Sequence, residues 1–231
     1  MAQKRISRAR KRDLDQPDEF ITVTSRLLGA LSTHWKSISV GIGAALVLVV
    51  GVLAYGYFSQ KAEERAFLLL DQAVTRYKTE LAGQDAANAL EAVASDFETL
   101  LADYGDRQAG AVARILFAQM NYRAGRAEAA AAQYEAALPH FREDAYAAAA
   151  ALSGLGYARA AAGEPEKAIA AFSKILAGSD PVFKADALYQ MALLYRETGQ
   201  AVAYDKAMRQ LESDYPDFMY AEVLPSAAAG G

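Results

Sequence analysis

The chain has 231 residues, contains no cysteine and carries a formal net charge of −4. The absence of cysteine excludes disulfides, thiolate metal sites and cysteine nucleophiles, and 2 histidines leave little basis for a histidine-based metal site. Residues 1–36 hold eight Lys/Arg against four Asp/Glu, whereas the rest of the chain holds 16 against 24. The two parts of the chain are therefore expected to lie in different environments.

Residues 1–36 are predicted to form a basic cytoplasmic tail with a short amphipathic helix. Six Lys/Arg and no acidic residue stand among the first twelve residues. Such a run is typical of contact with anionic lipid beside an anchor, or of nucleic-acid binding, and the apolar stretch that follows favours lipid over nucleic acid. The amphipathic helix is predicted to lie on the cytoplasmic leaflet, because its apolar residues share one helical face: Phe20, Val23, Leu27, Leu28, Leu31 and Trp35.

Residues 37–60 are predicted to be a transmembrane anchor. These 24 residues carry no charge, and as a helix they would measure about 36 Å against a hydrocarbon thickness of about 30 Å. Trp35 stands near one end and Tyr55 and Tyr57 near the other, as in the aromatic belts of membrane proteins. The alternative is a cleaved signal peptide, but the tail before the apolar stretch is long and the stretch exceeds the usual ~7–15 residues.

The distribution of Lys and Arg predicts the orientation of this anchor. Positively charged flanks stay cytoplasmic, so we expect a single-pass protein of the bacterial inner membrane with a cytoplasmic N-terminus and a periplasmic C-terminal domain. No proline or glycine lies between Phe58 and Ala82. The sequence therefore predicts one continuous helix from about Ser37 to Ala82.

Residues 61–220 contain a repeated pattern centred on Gly125, Gly163 and Gly199. A small residue stands seven positions before each glycine, and a large apolar residue stands nine positions after it. Each unit is predicted to be a helix, a turn at the glycine and a second helix, with the small residue facing the large one. The small residues are Ala118, Gly156 and Ala192, and the large ones are Tyr134, Phe172 and Met208.

Further signals place the helix boundaries and one more unit. Asp85, Asp106 and Asp180 are predicted N-caps, and residues 61–82 and 85–104 are predicted to form a degenerate first unit. Residues 221–231 are predicted to be disordered.

The spacing resembles the tetratricopeptide repeat family, most clearly over Leu152 to Leu176. Three positions depart from that pattern, since polar side chains stand where large apolar ones are usual: Arg114, Asn121 and Arg159. The resemblance implies an all-α fold, in which one N-terminal transmembrane helix precedes a tetratricopeptide-like helical-repeat solenoid.

The layout of tail, anchor and repeats over residues 35–220 also resembles the YfgM-like ancillary subunits of the bacterial SecYEG translocon. The matching residues are the anchor, Ala66, Ala73, Tyr77 and the repeats. This resemblance implies a periplasmic scaffold that binds the translocon and periplasmic chaperones and assists translocated proteins. The alternatives are a scaffold of another envelope-assembly or respiratory complex, or a structural subunit of an enzyme.

Partner-binding residues are expected on the concave face, which the first helix of each unit lines. Tyrosine and arginine are enriched in protein interfaces, and the predicted set is Gln119, Tyr122, Arg123, Tyr157, Tyr189 and Arg196. Tyr157 and Tyr189 are expected to contribute to binding rather than to stability. The sequence shows no catalytic motif, so we expect no enzymatic activity, no cofactor, no metal site, no small-molecule substrate and no nucleic-acid partner.

Overall fold

The computed structural model describes residues 19–178 and 180–218. The predicted basic run and the predicted disordered tail lie outside the described residues, as do the side chains of the predicted amphipathic segment up to residue 34. The chain divides into two compact units, Met1–Ser59 and Gln60–Gly231.

The first helix, α1, spans Glu19–Leu81 and is 63 residues long. Its extent confirms the predicted uninterrupted helix apart from Ala82, and no break separates it from the predicted amphipathic segment. Among the described residues, one helical stretch, Trp35–Gly83, is long and apolar enough to cross a membrane. Its large apolar side chains from Val40 to Phe58 are exposed, for example Val47 by 73% and Leu53 by 67%.

The rest of the described chain is a series of paired helices, and no strand occurs among the described residues. The all-α prediction is therefore confirmed. The helices that follow α1 are α2 (Ala86–Tyr104), α3 (Gln108–Arg123), α4 (Ala127–Ala137), a 3₁₀ helix (Leu138–Phe141), α5 (Ala145–Ala161), α6 (Pro165–Ile175), α7 (Pro181–Glu197) and α8 (Ala201–Asp214). The odd-numbered helices are the first helices of the units and the even-numbered ones are the second helices.

The three aligned glycines end the first helices α3, α5 and α7 in the same way. Gly125, Gly163 and Gly199 have φ of 75°, 73° and 73°, a left-handed conformation that glycine adopts readily. At each, the next residue's N–H donates to the carbonyl five residues earlier, at 2.8, 2.9 and 2.8 Å respectively, which is the Schellman arrangement. A Cβ at these glycines would meet nothing within 4 Å, so the requirement for glycine is conformational rather than steric.

The small and large residues of each unit meet across the helix pair. A Cβ at Gly156 would lie 2.5–2.7 Å from three ring carbons of Phe172, so this crossing needs glycine. Ala118 with Tyr134, and Ala192 with Met208, share buried clusters at the equivalent places. The C-terminal part of α1 packs on α2 and α3 through Leu70, which confirms the predicted degenerate first unit.

One predicted N-cap is wrong, and a distant carboxylate takes its place. Asp85 and Asp180 cap α2 and α7 through 2.9 Å bonds from backbone N–H groups, as predicted. Helix α3 begins after Arg107 rather than Asp106 and has no side-chain cap of its own. Instead the backbone N–H of Ala109 donates to Glu63 Oε1 of α1 at 2.6 Å, because Glu63 projects onto the unsatisfied N-terminus of α3.

Candidate protein-binding face

The first helices are neighbours along the stack. Helix α3 contacts α5, and α5 contacts α7, in addition to the contacts within each pair. Among the described residues, the second helices α4, α6 and α8 make no comparable backbone approach to one another. The first helices therefore line the inner side of the repeat stack. Their exposed side is called the first-helix face below and is defined by the six predicted residues on α3, α5 and α7.

Four of the six predicted residues are exposed on this face. On α3, Gln119, Tyr122 and Arg123 are exposed, and Tyr122 retains 41% of its accessible surface. Arg196 is exposed near the end of α7. An exposed tyrosine beside an arginine supplies apolar area and directional hydrogen bonds, which are the properties of interface anchors.

Tyr157 has packing contacts as well as partial exposure. Its hydroxyl donates to Asp186 of α7 at 2.9 Å, and its ring meets Phe172 edge to face with 5.5 Å between ring centroids. It therefore connects α5, α6 and α7. The expectation that Tyr157 contributes little to stability is at odds with these contacts, since replacing it would remove a bond between two repeats.

Tyr189 is half-buried on α7, where its ring lies 6.3 Å from that of Phe218. It packs against the cluster of α7 and α8 that contains Leu188 and Met208. The structure thus brings the α3 residues together, but it places Tyr189 and Arg196 on the last first helix.

Asp186 is the residue of this face that sequence reasoning missed. It accepts the hydrogen bond of Tyr157 and lies within 3.5 Å of Gln190 Nε2. No local signal marks Asp186, because its partner is 29 residues away in the sequence.

Two of the three polar residues that depart from the repeat pattern, Asn121 and Arg159, have hydrogen-bond partners, whereas the buried Nε of the third, Arg114, has none among the described residues. Arg159 Nη1 donates to Glu164 at 2.6 Å and its Nη2 donates to Glu135 at 2.9 Å. The Asn121 side chain is buried and donates to the Phe117 carbonyl at 2.8 Å. These bonds satisfy polar groups at positions where the family pattern has apolar ones.

The ion pairs shift two pKa values in opposite directions. Hydrogen bonds from Lys167 and then from Arg159 lower the pKa of Glu164. The hydrogen bond to Glu164 is the main cause that raises the pKa of Arg159, against a smaller opposing effect of burial. Both shifts mean that the folded chain favours the charged forms.

Replacing Glu164 by Gln is expected to remove a pH-dependent part of the stability. A carboxyl whose pKa is lowered on folding stabilises the fold at pH values above its ordinary pKa of 4.5, and this contribution is lost as the pH falls through the folded value. The difference in melting temperature between the natural chain and Glu164→Gln should therefore shrink on acidification. A difference that grows as the pH falls below 4.5 contradicts this account.

Burial favours the neutral form of Tyr134, which lies at the junction of α4 and α5. Desolvation raises the pKa of Tyr134, with a further increase from Tyr122 and an opposing effect of Arg123. A Cβ at Gly154 would clash with the ring of Tyr134. The junction between α4 and α5 is therefore tightly packed.

No group of three or more His, Asp or Glu side chains capable of holding a metal occurs within the described part of the chain. His140 lies in the 3₁₀ helix and is half-buried. The arrangement of the first-helix face offers contact surface and hydrogen bonds.

Comparison with known proteins gives one family. A family model described as a tetratricopeptide repeat-like domain matches residues 31–179, which include the apolar part of α1 and the helices through α6. No curated protein matches the chain at a significant level. Repeats of this kind typically form non-enzymatic scaffolds for protein–protein interaction. Since the match covers well over half of the sequence, the chain belongs to the tetratricopeptide repeat-like family.

Proposed function

We propose that the chain is a membrane-anchored scaffold whose repeats bind proteins through the first-helix face. The observation that carries this proposal is that one family match covers both the apolar helix and the repeats through α6. A scaffold of this kind needs a surface for partners, and the exposed Tyr122 and Arg123 supply one. The proposed function therefore rests on binding and includes no chemical step.

We further propose that the anchor crosses the bacterial inner membrane once, with the repeats in the periplasm. Support comes from the excess of Lys and Arg in residues 1–36, since positively charged flanks stay in the cytoplasm. The repeat part is acidic, and acidic residues have little influence on orientation. The N-terminus is therefore assigned to the cytoplasm.

The proposed partners are the SecYEG translocon and periplasmic chaperones. This assignment rests on the resemblance of the layout to YfgM-like translocon subunits, and the anchor would keep the repeats next to emerging chains. The alternatives are a scaffold of another envelope-assembly or respiratory complex and a structural subunit of an enzyme. Isolating the full chain from membranes in mild detergent, followed by mass spectrometry of co-purified proteins, separates these possibilities. Recovery of SecY supports the proposal, and a respiratory or enzymatic complex without SecY overturns it.

The orientation is tested by reporter fusions. A reporter fused after residue 100 is expected to be active only if it is of the type that works outside the cytoplasm. Replacing the six Lys/Arg of residues 1–12 by Gln should weaken this preference, because fewer positive charges would hold the tail inside. Activity of a cytoplasm-only reporter at the same position contradicts the orientation. A mature chain that begins near Tyr57 would show that the apolar stretch is a signal peptide.

A further inference from the structure

A pocket of about 250 Å³ lies between the start of α5, the end of α6 and the start of α7. It is called the α5–α7 pocket below. A cavity of about 150 Å³ is large enough to hold a benzene molecule, so this pocket has room for a long side chain of a partner. Ala149 of α5 and Ile175 of α6 contribute apolar surface to it, which suits the methylene groups of such a side chain.

Two aromatic rings line the α5–α7 pocket. The ring of Tyr146 on α5 and that of Phe183 on α7 meet edge to face, with 5.3 Å between their centroids. Tyr146 is 66% exposed, so most of its surface is available to a ligand. The face of an aromatic ring attracts a cation, and arginine is the protein cation found there most often.

Among the described residues that line the pocket, Asp180 is the one that carries a charge. Its Oδ1 accepts the backbone N–H groups of Val182 and Phe183 at 2.9 and 3.2 Å, and its Oδ2 accepts no hydrogen bond from the described residues. Lys174 and Lys184 are adjacent in sequence to lining residues but do not belong to the lining. Oδ2 can therefore accept a hydrogen bond from a cationic ligand.

The helix N-termini beside the pocket do not make it a site for anions. The starts of α5 and α7 each carry about half a positive charge. Their N-caps Asp144 and Asp180 each bring a full negative charge to the same place, and the C-terminus of α6 adds about half of one. Beyond residue 36 the chain holds 24 acidic and 16 basic residues, so its field attracts positively charged partners.

We propose that the α5–α7 pocket binds an arginine side chain of a protein partner. The guanidinium group pairs with Asp180 Oδ2 and lies against the ring of Tyr146, while the methylene groups cover Ala149 and Ile175. Tyr146 and Tyr157 are eleven residues apart, about three helical turns, so they lie on the same side of α5 and about 16 Å apart. The pocket therefore continues the first-helix face toward the start of α5.

This inference rests on the proposed function in one respect, namely that the ligand belongs to a bound protein. It adds the chemistry of that protein, which is an arginine in a segment that reaches past Tyr157. About five extended residues span the 16 Å between Tyr157 and Tyr146.

Binding of short peptides to the full-length chain in nanodiscs of neutral lipid tests the ligand. The probe is a pentapeptide with one arginine between glycines and with both termini blocked. In the control peptide citrulline replaces arginine, which keeps the shape of the side chain and removes its charge. Saturation-transfer NMR measures weak affinities of this kind. We expect the arginine peptide to bind roughly 5–10-fold more tightly, because a hydrogen bond to a charged group is stronger than a neutral one.

Two variants test the pocket itself. Asp180→Asn removes the charge and keeps a side chain that can cap α7, so it should weaken binding of the arginine peptide by roughly 5–10-fold. Tyr146→Leu keeps an apolar side chain without the aromatic ring, and the expected loss is about 2–30-fold. The matched control is Glu212→Gln, which removes an exposed acid of α8 outside the pocket. It should leave the affinity unchanged.

The proposal is overturned if the arginine peptide does not bind or binds no better than the citrulline peptide. Unchanged affinity of Tyr146→Leu also overturns it. If denaturant unfolding shows that Asp180→Asn destabilises the chain, the exposed Tyr146 decides the result alone. Co-purification of SecY does not depend on these peptides, so failure of the arginine site and failure of the proposed function are separate outcomes.

Discussion

Replacing Phe172 by alanine is expected to lower the free energy of unfolding of the repeats by about 3–5 kcal/mol. The side chain is 1% exposed and fills the space that Gly156 leaves open on the facing helix. It also contacts the ring of Tyr157, so its removal leaves a cavity bordered by two repeats. Denaturant unfolding of the full chain in detergent, followed by the helical circular dichroism signal, measures this loss.

Two glycine variants provide the controls. Gly156→Ala places a methyl group against the Phe172 ring and is expected to cost about 1–3 kcal/mol, as overpacking typically does. Gly83→Ala adds the same methyl group where nothing lies within 4 Å, so the denaturant concentration at the midpoint of unfolding should stay unchanged. If Gly156→Ala also leaves the midpoint of unfolding unchanged, this result contradicts the close approach of α5 and α6 at Gly156.

Replacing Tyr122 or Arg123 by alanine is expected to weaken partner binding without weakening the fold. Both side chains are exposed, so the loss should be about 1–3 kcal/mol of binding free energy for each, roughly 5–150-fold in affinity. The affinity of each purified full-length variant for the co-purified partner measures the loss of binding. Denaturant unfolding measures whether the stability is unchanged. Equal affinity of both variants and the natural chain contradicts the assignment of the α3 residues.

Tyr157 should behave differently from these exposed residues. Tyr157→Ala is expected to lower both stability and binding, because the residue packs on Phe172 and donates to Asp186. Tyr157→Phe keeps the ring and removes only the hydroxyl group. Its stability loss should be about 1 kcal/mol, typical of a single hydrogen bond. A larger loss for Tyr157→Phe than for Tyr157→Ala contradicts the packing role.

The repeat architecture could be predicted because its signals are local and recur. Gly125, Gly163 and Gly199 each end a first helix, and their positive φ explains why glycine stands there. The pairing of Gly156 with Phe172 followed from spacing within one helix pair. Patterns of this kind depend on neighbours within about one repeat, so one sequence contains enough information.

The contacts between repeats could not be predicted in the same way. Glu63 caps α3 from 46 residues away, while the adjacent Asp106, which has the right chemistry, is not the cap. Tyr157 likewise finds its acceptor in the next repeat. These interactions depend on how helices are placed in three dimensions, and a single side chain carries no sequence signal of its distant partner.

Site-specific photo-crosslinking in intact cells shows directly whether proteins bind to the first-helix face. A photoreactive residue is placed at Gln119 or Arg123 on α3, and for comparison at Ser173, which is exposed on the second helix α6. We expect protein adducts at the two α3 positions, containing SecY or a periplasmic chaperone, and none at Ser173. Adducts at Ser173 alone, or at none of the three positions, would show that the first-helix face is not the binding surface.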